Sequence, residues 1–116
     1  MEMTAAVESL SALAHEGRLR AYRLLVQAGP SGLAAGEVAR RLGTPANTLS
    51  AHLTALGHAG LVQSRRDGRS IIYAARFDRM GALMAFLADD CCAGAPEVCA
   101  PVAAAAARSR CIPAEV

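Results

Sequence analysis

Two helical patterns separated by a glycine stand directly before a pair of β-rich runs in the middle of the chain. The first pattern, residues 36–42, ends at Gly43, and glycine often ends a helix because it enters the left-handed region at no steric cost. The second opens on Thr44-Pro45, which we predict to be the N-cap and the first helical residue, and continues to about His58. Two helices around so short a turn are typical of a helix-turn-helix.

The residues after Gly60, which is expected to close the second helix, predict a β-hairpin. Residues 61–65 and 70–75 are the predicted strands, and Asp67-Gly68 lies at the centre of the intervening turn 66–69. Asp-Gly between two such runs is a strong hairpin signal, because a tight turn needs positive φ at its centre. A hairpin behind a helix-turn-helix is a wing. The sequence therefore predicts a mainly α fold with a β-hairpin, the winged helix-turn-helix.

Helical periodicity extends to both sides of this unit. Residues 4–15 and a second segment ending near Val26 carry apolar side chains at helical spacing, with a break near Glu16-Gly17 and a turn at 29–32. A last helix, 78–88, is predicted to begin at Asp78 as N-cap. Its apolar residues recur at i, i+3, i+4 and i+7, and such a stripe covers either the core or a partner surface. The stripe comprises Met80, Leu83, Met84 and Leu87.

The outward side of the helix after Gly43 is small and polar without charge. Short polar side chains let a helix backbone come close to base edges in the major groove, so we predict this helix to be the DNA reader. For His52, capping or packing within the protein is the alternative. The predicted contacts are Asn47, Thr48, Ser50, Ala51, His52 and Thr54.

Three arginines, Arg65, Arg66 and Arg69, cluster at the predicted hairpin tip. A charged turn on its own is usually only solvated. Next to a helix-turn-helix, however, arginines at a wing tip are well placed for phosphates or a minor groove, where arginine is favoured. We therefore predict that all three contact DNA.

The charge distribution agrees with an acidic partner. Residues 1–88 carry ten Arg against six acids, a net +4, whereas residues 89–116 carry two Arg against four acids, a net −2. No apolar run approaches the roughly 18 residues of a membrane span. The first residues lack the basic-then-apolar pattern of a signal peptide. We expect a cytoplasmic protein that binds double-stranded DNA and not membranes.

All four cysteines follow residue 90, at Cys91, Cys92, Cys99 and Cys111. In a cytoplasmic protein such thiols point to metal binding or redox chemistry rather than to disulfides. Adjacent Cα atoms lie about 3.8 Å apart, below the usual disulfide range of about 4.4–6.8 Å, so the vicinal pair is poorly placed to cross-link. We divide the chain into a DNA-binding and dimerisation domain, 1–90, and a cysteine-containing tail, 91–116, in which residues 102–107 could form a short helix.

The run Ser50-x-His52-Leu53-x-x-Leu56-x-x-Ala59-Gly60-Leu61-Val62, followed by Arg66-Asp67-Gly68-Arg69 and Tyr73, resembles the ArsR/SmtB family of bacterial metalloregulatory repressors. Residues 13–20 are similar to the family's entry into its second helix, although Glu16-Gly17 replace the usual Pro-Thr. The resemblance covers about residues 8–88. It implies a homodimer held by the first and last helices, bound to a pseudo-palindromic operator and released by an inducer.

Family members place their inducers at different positions. The cysteine motif at the start of the reading unit is missing here, the last helix has no His for the zinc-sensor site, and the second helix has no Cys. Cys91-Cys92 with Cys99 resembles the arsenite-responsive repressors, which implies As(III) held by three thiolates. Sb(III) or methylated As(III) would suit the same thiols. No organic cofactor is expected, and whether Cys111 adds a ligand stays open.

Other uses of the cysteines remain open. Zinc prefers four ligands in a tetrahedron, and Cys111 could supply the fourth. Such a zinc ion could be the inducer, or it could only stabilise the structure of the tail. Thiol redox sensing is a further alternative, although Asp89 and Asp90 at a helix C-terminus would raise nearby thiol pKa values. The tail could also be unused. A small thiol reductase lacks support, because there is no Cys-x-x-Cys and no phosphate-cradling loop, so we predict that the protein is not an enzyme.

Overall fold

A computed structural model describes residues 1–88, 100–101 and 104–105. The chain divides into two compact units, Met1–Leu83 and Met84–Val116. In the second unit the described residues Ala100, Pro101, Ala104 and Ala105 are helical. The elements of residues 1–88 are α1 (Met3–Leu13), α2 (Glu16–Ala28), β1 (Leu33–Ala34), α3 (Ala35–Leu42), α4 (Ala46–His58), β2 (Val62–Asp67), β3 (Ser70–Ala75) and α5 (Phe77–Ala88).

The three strands form one antiparallel sheet in the order β1-β3-β2. The sequence did not predict β1, which pairs only Leu33 with Tyr73 and Ala34 with Ile72. Two residues are too short to show an alternating pattern. This strand fixes the start of α3 against the hairpin, because α3 begins at the next residue.

The β-hairpin is confirmed, and β3 has the predicted bounds, but the turn lies one residue further along than expected. Asp67 pairs with Ser70 across the hairpin, which leaves Gly68 and Arg69 as a two-residue loop. Gly68, at φ 62°, supplies the positive φ at the first loop position. Arg66, predicted to lie in the turn, is instead a strand residue opposite Ile71.

The turn between α3 and α4 is confirmed, but its capping differs from the prediction. Gly43 adopts the left-handed conformation at φ 64°, as expected for a helix terminus. The Thr44 amide then donates to the Ala39 carbonyl at 3.1 Å, the wrapped bond of a Schellman ending. Thr44 therefore completes α3. Pro45, extended at ψ 144°, is the N-cap of α4, without a side-chain hydrogen bond, so the assignment of Thr44 as N-cap was wrong.

The break between the first two helices lies at Ala14 and His15, not at Glu16-Gly17 as predicted. His15 is the N-cap of α2, and its Nδ1 accepts from the amides of Gly17 at 3.0 Å and Arg18 at 3.4 Å. Histidine is not among the residues usually preferred at an N-cap, which is why the pattern placed the break too late.

Helix α5 begins at Phe77, one residue before the predicted N-cap. The Met80 amide donates to the Arg76 carbonyl at 3.0 Å, so the first helical hydrogen bond already starts at Arg76. Asp78 lies in the first turn, and its carboxylate accepts from Arg76 Nη2 at 2.8 Å. A carboxylate in the first turn suits the positive end of the helix dipole.

The core joins α2, α3 and α4 to the base of the hairpin, and its largest fully buried side chains are Leu25, Leu49, Leu53, Leu56, Leu61 and Val38. Helix α1 covers it with the small residues Ala6, Ser9 and Ala12, and α5 contributes Met80 and Leu83. Across residues 1–88, 100–101 and 104–105, no helix is long and apolar enough to cross a membrane.

Candidate nucleic-acid interface

Helix α4 presents an uncharged polar surface because its buried residues recur on one side. Leu49, Leu53 and Leu56 face the core at i, i+4 and i+7. Five of the predicted reader residues point outward and offer one amide, three hydroxyls and a methyl group. Exposed there, as predicted, are Asn47, Thr48, Ser50, Ala51 and Thr54. Amide and hydroxyl groups can both donate to and accept from base edges, so this surface has the chemistry of a major-groove reader.

His52 is the exception among the predicted reader residues, because its half-buried ring packs against the start of α2. The ring centroids of His52 and His15 lie 4.8 Å apart, and a β-carbon on Gly17 would stand 2.6 Å from His52 Nε2. Burial, and then the neighbouring His15 and Arg18, lower the pKa of His52. The structure thus brings His52 to the α2–α4 contact.

The three wing arginines are exposed, but the hairpin does not hold them as one cluster. Arg65 lies opposite Ile72 and Arg66 opposite Ile71, so the two side chains project from opposite faces of the hairpin. Arg65 Nη2 donates to the Ser31 carbonyl at 3.0 Å and braces the hairpin against the turn before β1. Among the described residues, Arg66 and Arg69 form no ion pair, so their charges stay available to phosphates.

A cleft of about 360 Å³ connects the reader helix to the wing. Helix α3 begins in it, and its N-cap Ala34 makes no side-chain hydrogen bond, which leaves the first amides of the helix without a capping group. Together with the nearby guanidinium of Arg69, such amides suit a phosphate. Residue types alone did not indicate this cleft, since Ala34, Ala35 and Gly36 carry no polar side chain. The lining residues are Ala34, Ala35, Gly36, Ser50, Arg69, Ser70, Ile71 and Tyr73.

Helix α3 holds a charge cluster that was also not predicted from the sequence, although Glu-x-x-Arg-Arg spacing could have indicated it. The Glu37 carboxylate accepts from Arg40 Nη2 at 2.5 Å and from Arg41 Nε at 2.6 Å. These hydrogen bonds, Arg40 first and Arg41 second, lower the pKa of Glu37 to about 2. The carboxylate therefore stays ionised and partly neutralises two arginines on the first helix of the helix-turn-helix.

The predicted inducer ligands Cys91, Cys92 and Cys99, together with Cys111, lie outside the described residues. In residues 1–88, 100–101 and 104–105, no three His, Cys, Asp or Glu side chains are grouped so as to hold a metal ion.

The two-helix turn, the outward polar helix and the wing define a transcriptional regulator of the winged helix-turn-helix class. A family described as Helix-turn-helix domain matches residues 13–65, from the end of α1 into β2. The HTH-type transcriptional regulator YgaV of Escherichia coli K12 is 34% identical over 83 residues, which are 72% of this chain and 82% of YgaV. The chain belongs to the ArsR family of winged helix-turn-helix transcriptional regulators.

Solved structures agree with this assignment. The homodimeric winged helix-turn-helix DNA-binding domain of a possible ArsR-family regulator from Mycobacterium bovis is 33% identical, with a TM-score of 0.61, covering 76% of this chain and 82% of that one. A possible transcriptional regulator for arsenical resistance is 28% identical, with a TM-score of 0.61, over 69% of this chain and 80% of that one. The winged helix-turn-helix prediction is confirmed, and the relatives are regulators rather than enzymes.

Proposed function

We propose that the protein is a homodimeric repressor that binds operator DNA and releases it when As(III) binds Cys91, Cys92 and Cys99. The observation that carries the DNA-binding part is the exposed, uncharged polar surface of α4 beside a wing with exposed arginines. The inducer part rests on the cysteine pattern of the sequence.

On duplex DNA, α4 enters the major groove with Asn47, Thr48, Ser50, Ala51 and Thr54 toward the base edges. Arg66 and Arg69 contact phosphates or the adjacent minor groove, and Arg65 contributes from the other face of the hairpin. His52 acts mainly through its packing, since its ring lies against α2.

Two sets of exposed apolar side chains support a second copy of the chain as partner. On α1, Met3, Val7 and Leu10 are 67%, 55% and 42% exposed. On α5, Met84 and Leu87 are 57% and 58% exposed. Large apolar side chains on terminal helices are stabilised when a partner surface removes them from water. The Mycobacterium bovis neighbour is itself homodimeric.

As(III) is the inducer we favour because it is soft and takes three thiolates, and Cys91, Cys92 and Cys99 offer three close in sequence with no histidine among them. One structural neighbour is described as a possible regulator for arsenical resistance. Sb(III) and methylated As(III) share the affinity for sulfur and bind the same residues in this proposal. Zinc, which prefers four ligands, would recruit Cys111 as well.

Release requires that the inducer bind the DNA-incompetent state more tightly than the competent one. A coupling of about 2–3 kcal/mol would lower DNA affinity tens- to a hundred-fold. The ligated tail would act at the end of α5 and move the two reader helices of the dimer out of register with successive major grooves.

The test is a fluorescence anisotropy titration of the reduced full-length chain on a duplex copy of its own promoter region. Arsenite should release the DNA at about one equivalent per subunit, as a three-thiolate site requires, and zinc should not. Cys91→Ser, Cys92→Ser and Cys99→Ser should abolish release, whereas Cys111→Ser serves as the matched control. If all three variants still release DNA on arsenite, the three-cysteine site is wrong. If the protein does not bind the duplex at all, the repressor proposal itself fails.

A further inference from the structure

A histidine at the N-cap of α2 and a histidine in α4 meet at the inner side of the reader helix. The rings of His15 and His52 are tilted by 53° with their centroids 4.8 Å apart. His15 caps α2, and His52 lies in α4 between the reader residues Ala51 and Thr54. The contact therefore joins the start of α2 to the segment that would read the bases.

The capping bonds define which proton His15 carries. Its Nδ1 accepts from the amides of Gly17 and Arg18, at 3.0 and 3.4 Å, so the neutral ring has its proton on Nε2. A proton added to Nδ1 would turn the acceptor into a donor facing two amide donors. A metal on Nε2 would force the same exchange, because the ring proton would have to move to Nδ1. This cap therefore works only while His15 is neutral and free of metal.

The surroundings are unfavourable for any added positive charge. Arg18 is close enough to contribute to the lowered pKa of His52, and the N-terminus of α2 carries the positive end of its dipole. Glu16 is already paired with Arg20 at 2.5 Å. Arg18 also lines a shallow groove together with Glu8 of α1 and His58 of α4. No carboxylate among the described residues bonds to either imidazole of the pair.

Close packing at the His15–His52 pair links the start of α2 to the position of α4. Gly17 leaves no room beside His52, since a β-carbon there would stand 2.6 Å from Nε2 and only 3.2 Å from His15 Cε1. If both rings become charged they repel each other at this distance, and the cap of α2 is lost at the same time. Repulsion between the rings, or loss of the cap, changes the packing of α4 against α2.

We infer that His15 is a positioning residue for the reader helix, and that protonation of the His15–His52 pair weakens DNA binding. The inference rests on the proposed function, in which α4 reads the operator. The neutral pair holds α4 in the position that binds DNA, and acidification releases this restraint without involving the cysteines. The lowered pKa of His52 agrees with a fold that favours the neutral ring.

The experiment measures the dissociation constant of the reduced, arsenite-free full-length chain for its promoter duplex at constant ionic strength. Binding should weaken as the pH falls from about 7.5 to about 5.5, by at most about tenfold for each pH unit if one proton must leave the pair before DNA binds. His15→Asn keeps a capping oxygen and removes the titrating ring, so its profile should be much flatter. His58→Asn, which removes a histidine from the same helix as His52, should keep the wild-type profile.

A second readout does not depend on DNA. In the wild type, the backbone amide NMR shifts of Gly17 and Arg18, which donate to His15 Nδ1, should change as acidification removes the cap. In His15→Asn, whose capping oxygen does not titrate, the same shifts should change far less. Equal pH profiles for wild type and His15→Asn, or wild-type Gly17 and Arg18 amides that ignore pH, would overturn the inference. If His15→Asn does not fold, His15→Ser takes its place, because serine also offers a capping oxygen without a titrating ring, with the same two expectations. Failure to bind the duplex at high pH would instead count against the proposed function, and the amide shifts would still decide the inference.

Discussion

The amide of Thr44 and the carbonyl of Ala39 form a 3.1 Å hydrogen bond that wraps the chain around Gly43 between α3 and α4. This bond requires the left-handed conformation of Gly43, at φ 64°. A side chain at residue 43 would meet no neighbour, since nothing lies within 4 Å of the β-carbon position. Any cost of substitution there is therefore conformational.

Gly43→Ala should lower the free energy of unfolding by about 1–2 kcal/mol, the cost of a left-handed residue with a β-carbon. Gly57→Ala is the matched control. Its β-carbon also has open space, but Gly57 lies inside α4, so alanine there should stabilise the protein by about 0.5–1 kcal/mol. Urea denaturation of both variants checks the signs. Equal effects in the two variants would show that the turn conformation does not matter.

The wing arginines should differ in how they affect DNA binding. Arg66→Ala with Arg69→Ala should weaken binding to the promoter duplex and reduce the slope of log K against log salt by about 0.9 for each phosphate that is no longer neutralised. Arg23→Ala is the control, since it removes a charge from α2 that is also exposed. An unchanged salt slope in the double variant would remove the wing from the interface. Arg65→Ala should also cost some stability, because Arg65 braces the Ser31 carbonyl.

Glu37 should restrain DNA affinity by holding Arg40 and Arg41. The first helix of a helix-turn-helix crosses the DNA backbone, so Glu37→Gln should free both guanidinium groups and tighten binding at low salt, with a smaller gain at high salt. Glu2→Gln, with the same change in net charge at the N-cap of α1, should have little effect. Anisotropy titrations at two salt concentrations compare the variants, and weaker binding by Glu37→Gln would mean that the carboxylate orients the arginines instead.

The same carboxylate gives a pH-dependent contribution to folding. The folded pKa of Glu37 is lowered from 4.5 to about 2. A lowered carboxyl pKa stabilises the fold above its ordinary value and loses that contribution as the pH falls through the folded value. The difference in free energy of unfolding between wild type and Glu37→Gln should therefore be constant near neutrality and shrink as the pH falls from 4.5 toward 2.

Tyr22 carries a buried hydroxyl without a hydrogen-bond partner among the described residues, and burial raises its pKa. Leaving a hydroxyl unpaired in the core costs free energy, so Tyr22→Phe should leave stability unchanged or raise it by up to about 1 kcal/mol. Ser9→Ala removes the other such hydroxyl, from a residue that is 0% exposed. It should likewise leave the stability unchanged or raise it. Thermal unfolding measures both. A clear loss of stability in Tyr22→Phe would mean that the hydroxyl is bonded in solution.

The elements that could be predicted from sequence are those whose cause is local. Gly43, the Asp-Gly hairpin and strand 70–75 are recognised because the residue types alone determine the backbone they need. The predicted N-cap was wrong where a residue lies between two helices, because Thr44 completes α3 instead of starting α4. The small shift at the hairpin tip has a similar origin, because both Asp67-Gly68 and Gly68-Arg69 are compatible with a tight turn.

The parts of the site that escaped prediction depend on residues distant in sequence or on the backbone alone. His15 and His52 are brought together only by packing of α2 on α4. The cleft at the start of α3 includes the uncapped first turn of that helix, whose backbone amides cannot be recognised from residue types such as Ala34 and Ala35. Periodicity also cannot tell a core stripe from a partner-facing one. The structure shows that Val7 and Leu10, spaced as for a core, are exposed.

Leu10 and Leu19 allow the dimer to be tested with matched variants, because they are 42% and 43% exposed on different helices. If α1 meets a second copy of the chain, Leu10→Glu buries a charge at that interface and should give a monomer in sedimentation equilibrium. Leu19→Glu changes an equally exposed leucine on α2 and should remain dimeric. The monomer should also bind the promoter duplex much more weakly, since one reader helix then engages only one half-site. Two variants with the same sedimentation behaviour would show that α1 does not form the interface.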